Sequence, residues 1–198
     1  MTRARRTQAP RGFTLIEAMI VVVIVGILAL LAVLGYRRMI RASLLSEGQD
    51  MVASIRTNEQ AFYGENGAYL NVSTGLGPPY DYPAATPGAN KTAWGASCGT
   101  CTSANAWQSL GVQSNAPVAF GYSAIAGDGV KVVPSGTILN KWGSPSVNGT
   151  ALNLAAMGNG QPWYFIEADA NITGDGVSYL HVYGMSGTNQ LFVDGDGN

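Results

Sequence analysis

Arg11-Gly12-Phe13-Thr14-Leu15-Ile16-Glu17 opens the stretch that decides the fold, because the chain then runs through residues 18–34 without another charge. Residues 13–35 would measure ~35 Å as a helix, enough to cross a hydrocarbon core of ~30 Å with some tilt. A secretory signal has a shorter apolar region, about 7–15 residues, followed by a small-residue cleavage site. This run therefore reads as a retained span. At its head stands one carboxylate, Glu17. A charge in hydrocarbon costs roughly 2.5–3.5 kcal/mol on insertion scales unless something pairs with it, so such a residue marks function. Here it points to assembly rather than to catalysis. The preceding segment carries Arg3, Arg5, Arg6 and Arg11 and no acid, and reads as a basic leader. Arg37, Arg38 and Arg41 follow the span almost as densely, so the positive-inside rule leaves orientation open.

The rest of the chain follows from that span. Its 198 residues allow one domain of ordinary size, or one domain plus an appendage. Charged residues are 12% and glycines number 26, which implies a turn-rich, lightly charged domain. Four of the eleven basic residues lie in the leader, leaving seven against twelve acidic ones, a balance of −5. That sign argues against nucleic acid as a partner, since phosphate binding wants a basic patch.

Beyond the span the helical period persists. Leu44, Gly48, Met51, Ile55 and Phe62 form a stripe that Ile40, Leu45 and Val52 widen. Ser43, Glu47, Gln49, Asp50, Arg56 and Glu59 fill the polar face. No proline interrupts residues 13–77, so one helix is expected to about Tyr63, ~76 Å long, with Gly64 and Gly67 as the stop. Residues 66–97 are loop-rich, with Gly75, Gly77, Pro78, Pro79, Pro83, Pro87 and Gly88 forbidding long elements. A short helix is expected over 103–111, ended by Gly111. Strand patterns pair 118–126 with 130–133 across Gly127-Asp128-Gly129, and 163–169 with 177–183. Residues 191–193 make a last strand, and 137–162 read as irregular. The predicted class is α+β: a long N-terminal helix packed on an antiparallel sheet whose other face is wet or covered by loops.

Cys98 and Cys101, the two cysteines, sit in a loop-like string. An exported domain meets an oxidising compartment, and the expected state is a small surface disulfide closing too short a loop to affect global stability much. A thioredoxin-like role would want a βαβ context that the surroundings do not offer. A Cys/His zinc site is disfavoured, because zinc takes about four ligands and His181 is the one histidine.

The segment Gly12-Phe13-Thr14-Leu15-Ile16-Glu17 with its apolar run resembles the class III signal of type IV pilins and type II secretion pseudopilins. Gln60-Ala61-Phe62-Tyr63-Gly64-Glu65-Asn66-Gly67-Ala68-Tyr69 is similar to the end of the pilin helix. The resemblance covers residues 11–69. It implies that prepilin peptidase cuts between Gly12 and Phe13 on the cytoplasmic side and N-methylates Phe13. It places the head in the periplasm and gives Glu17 the task of neutralising the Phe13 amine of a neighbouring subunit. Two positions depart from the pattern. Leu34 stands where proline is frequent, next to Gly35, so this helix keeps its N–H donors there. Ala18 replaces a usual leucine.

Some pseudopilins bind calcium in a C-terminal loop, and Asp169, Asn171 and Asp175 alternate like the start of an EF-hand with Gly174 at the sixth position. The twelfth position is Leu180 instead of glutamate, but Asp194 and Asp196 add carboxylates. Calcium is carried as an expectation against a plain Asp/Gly turn. No catalytic set is legible: there is no serine elbow, phosphate loop or paired-carboxylate motif, and His181 in a strand reads as packed or surface. Trp94, Trp107, Trp142 and Trp163 read as core or loop anchors before an adhesive surface.

The expected organisation is a leader over 1–12, removed; a membrane and assembly half-helix over 13–35; an amphipathic half-helix over 36–65; and a periplasmic or extracellular head over 66–198. The expected function is a structural, non-enzymatic subunit of a type IV pilus or pilus-like filament. A type II pseudopilin is the alternative, and a membrane-anchored periplasmic binding or enzymatic domain the competing class. Expected partners are identical or related pilin subunits, prepilin peptidase, the pilus or secretion assembly machinery and the inner membrane. The head is expected in the periplasm before assembly, and in a surface pilus or periplasmic pseudopilus after it.

Overall fold

The computed structural model describes residues 12–96, 104–129, 146–147, 150–151, 160–172 and 179–195. One α-helix, α1 (Leu15–Asn66), occupies 52 residues, and the chain divides into two units, Met1–Ala42 and Ser43–Asn198. The helix ends at Asn66, three residues past the expected Tyr63, because Gly64 is tolerated inside it. Gly67 then takes φ 71° and donates its N–H to the Tyr63 carbonyl at 2.8 Å. That is the left-handed cap glycine allows at little cost.

In the first unit, every residue from Gly12 to Ile40 is exposed. The helix is apolar and long enough there to cross a membrane, by length and composition.

In the second unit, α1 buries Gly48, Val52, Ile55 and Glu59, a stripe at spacings of four, three and four. Leu44, Leu45, Met51 and Phe62 flank it, half-buried. Glu59 corrects the expected polar face. It is buried because its Oε2 accepts the Leu70 N–H at 2.9 Å just beyond the helix end. Gly48 admits Phe120, whose Cζ would stand 2.8 Å from a Cβ at that position. A short helix, α2 (Ala104–Ser109), seats Trp107 in the core and ends before Gly111 at φ 77°.

The strands are β1 (Gly121–Gly127), β2 (Ser146–Val147), β3 (Thr150–Ala151), β4 (Trp163–Ala170), β5 (Leu180–Met185) and β6 (Phe192–Gly195). β2 and β3 form a two-stranded ribbon, and the main sheet runs β1-β4-β5-β6, antiparallel throughout. The β4–β5 hairpin and β6 match expectation, with β5 set toward its C-terminal side. The expected pairing of 118–126 with 130–133 is not how β1 is held, and 130–133 lies outside the described residues. One edge of β1 takes β4. On the other edge, the N–H groups of Tyr122, Ala124 and Ala126 donate to the Tyr82 carbonyl, Ser73 Oγ and Asn71 Oδ1 at 2.8, 3.0 and 3.0 Å.

Alternation sorts the sheet into two buried faces. Tyr122, Ala124, Tyr164, Ile166, Ala168 and Val182 join Val52 and Ile55 of α1 in the larger core. The opposite face holds Ile125, Trp163, Phe165, Tyr183 and Met185, covered by Leu76 from the loop after α1. The β4 burial is therefore complete on both faces, and the second face is loop-covered rather than wet.

Candidate functional site

The head of α1 is a capping box. Thr14 precedes the first helical residue, and Glu17 is three residues on. Glu17 Oε2 accepts the Thr14 N–H at 2.9 Å and the Thr14 hydroxyl at 2.8 Å, while the Glu17 N–H reaches Thr14 Oγ1 at 3.4 Å. Two donors that a helix start leaves orphaned are thereby satisfied. The T-x-x-E spacing carried this signal in the sequence, behind the membrane argument. Gly12 and Phe13 are exposed ahead of the helix, and residues 1–11 lie outside the described ones. An exposed apolar helix surface with one acid at its head can do two things: enter lipid, or pack against like helices.

The head unit holds a second constellation. Cross-strand register places Gly121, Asp169, His181 and Asp194 in one row, and Ser123, Glu167, Tyr183 and Phe192 in the next. Gly121 leaves its place in the row to Asp81, whose Cβ would stand 2.6 Å from a Cβ on Gly121. Asp81 is held there because its neighbour Tyr82 bridges Tyr122. His181 Nδ1 contacts Asp169 Oδ1 and lies 3.7 Å from Glu167 Oε1. Both residues are fully buried, and neither oxygen of Asp81, nor Oδ2 of Asp169, makes a well-formed hydrogen bond, although the side chains of Ser123 and Asp169 stand close enough to act on the Asp81 carboxyl. Gly77, at φ 62°, roofs the group: a Cβ there would meet Asp169 Oδ2 at 3.3 Å and Glu167 Oε2 at 3.5 Å. Its N–H is taken by Ser123 Oγ at 2.9 Å, which fixes the roof to β1.

Burial pushes the Asp81 carboxyl well above the usual aspartate range, and the charges of Asp169 and Glu167 push it further. Burial likewise raises Glu167 well above the glutamate range, with the Asp169 charge adding to it and the Tyr183 hydroxyl opposing. No lysine or arginine is among the groups acting on either carboxyl among the described residues. Glu167, Asp169 and His181 present ligand atoms that all lie within 4.8 Å of one another.

Of the expected calcium ligands, Asp169 turns into this group, Asn171 is buried just past β4, and Asp194 lies opposite His181. Asp175 and Asp196 lie outside the described residues, as do Cys98, Cys101 and Trp142. Trp107 and Trp163 are buried core anchors and Trp94 packs edge-on to Tyr82, as read from the sequence. Asp81, Glu167 and His181 were missed as a group. The one local signal was two acids at alternate positions in the buried strand Phe165-Ile166-Glu167-Ala168-Asp169.

Residues 8–33 match the family model described as the prokaryotic N-terminal methylation motif. The chain is similar to the type IV major pilin protein PilA of Myxococcus xanthus (strain DK1622), 37% identical over 67 residues, 34% of this chain and 30% of that protein. It is also similar to fimbrial protein EcpC of Eikenella corrodens, 36% identical over 62 residues, 31% of this chain and 40% of that protein. The matches thus span well under half the length of these relatives. No solved structure matches the chain significantly. The chain carries a type IV pilin-like class III signal.

Proposed function

We propose that this protein is a structural subunit of a type IV pilus or pilus-like filament, assembled through α1 after removal of residues 1–12. The observation that carries the reading is the match over residues 8–33, falling on an exposed apolar helix with a single capped carboxylate at its head. Prepilin peptidase cuts between Gly12 and Phe13 and methylates the new amine. The helix holds the subunit in the inner membrane with its head in the periplasm. On assembly the helices leave lipid for one another, and burial of an unpaired carboxylate there would be costly. Glu17 offsets that cost by pairing with the methylated amine of Phe13 in a neighbouring subunit. Both relatives are named as pilus or fimbrial proteins, which favours a pilus over a secretion pseudopilus.

Mass spectrometry of the mature N-terminus tests this directly. The expected terminus is N-methylated Phe13; a population beginning at Met1 overturns the reading.

A further inference from the structure

We propose that Asp81, Glu167, Asp169 and His181 form a binding site in the head for one divalent transition-metal ion of the zinc class. Three observations converge on it. Ligand atoms around zinc at about 2.0–2.2 Å stand ~3.3–4.4 Å apart. Those of Glu167, Asp169 and His181 already lie within 4.8 Å of each other, and His181 Nδ1 and Asp169 Oδ1, now in direct contact, would part to admit the ion. Next, Asp81 is fully buried with no well-formed hydrogen bond to either oxygen, Ser123 and Asp169 being the side chains close enough to act on it. Oδ2 of Asp169 likewise lacks one, and Asp81 faces the other acids from the position Gly121 vacates. Buried charges are paired or coordinate metals. Glu47 shows how this fold treats an acid it pairs: Lys91 and the Ala119 N–H both bind it. Lastly, Gly77 keeps side-chain bulk off the carboxylates from above, while Tyr183 bonds Glu167 and orients it.

The donor set decides the class of ion. Calcium takes six to eight oxygens, whereas an imidazole among carboxylates suits zinc and its first-row neighbours. The set is not the Cys/His type, and three of its members sit on two paired strands, so register fixes their spacing.

The test uses the full chain purified in detergent, stripped with chelator and titrated separately with zinc, cobalt and calcium. One zinc per chain is expected, with a raised thermal midpoint, and cobalt should give visible d–d absorption perturbed by an imidazole ligand. His181→Ala and Asp81→Asn should each weaken zinc binding at least ~100-fold. Absence of zinc and cobalt binding to the unsubstituted chain overturns the proposal whatever the variants do. So does a midpoint that responds to calcium alone, or zinc binding undiminished in both variants.

Discussion

The two units of this chain leave opposite things unsatisfied. Residues 13–40 expose every apolar side chain and place their one acid at the surface, bonded to Thr14. Among the described residues, the head buries most of its large apolar side chains and also buries three acids at one place, two of them with oxygens that make no well-formed hydrogen bond. Apolar surface without cover suits lipid or another helix; buried carboxyls gathered around one imidazole suit the cation proposed above. The partner proposed for each unit differs because the unsatisfied groups differ.

Substitution at Glu17 should separate the units most sharply. Glu17→Ala should abolish incorporation into sheared surface filaments, read by immunoblot, while leaving membrane insertion intact. Glu17→Gln retains a capping acceptor but no charge. Wild-type filament yield in that variant would reduce Glu17 to a helix cap. Next in size is Ile55→Ala, which should destabilise the head by about 2–5 kcal/mol in denaturant unfolding. Ile24→Ala in the first unit should change that unfolding by less than about 0.5 kcal/mol. Equal losses would erase the distinction between the two stretches of α1.

Glu59 gives a pH-dependent contrast with the surface acid Glu17. Burial raises its carboxyl from the ordinary 4.5 to about 7, against the lowering effect of the Leu70 N–H. The folded state therefore holds this proton more tightly than the unfolded state. Its contribution is fully present below about pH 4.5 and is lost as pH rises through about 7. Head stability should fall by on the order of 2 kcal/mol across that window, and Glu59→Gln should remove this part of the slope. Thr14→Ala should have the smallest effect, about 1 kcal/mol of helix-start stability, seen as faster amide exchange over residues 15–18 and no change in the head.

Legibility followed sequence distance. The N-terminal signal is local, so leader, junction, acid and span could be read together. The β4–β5 hairpin is nearly local, and its alternation survived. The expected partner of β1 is the nearest strand-like segment, whereas β4 and residues 71–82 hold its edges. Glu59 was placed on the polar face by residue type, although it continues the period of Val52 and Ile55. The acidic group was out of reach because Asp81 belongs to a proline-rich stretch that periodicity cannot place, and only the sheet register brings it to Asp169.

The closed edge of β1 carries a consequence for a protein proposed to polymerise. A subunit crowded among its own copies risks joining them through any open ladder of backbone donors, a route to disordered aggregates. Here a backbone carbonyl, a hydroxyl and an amide side chain occupy the donors on that side. The sheet is thereby silenced as an adhesive along β1, which suits the proposed reading that subunits join through the helix.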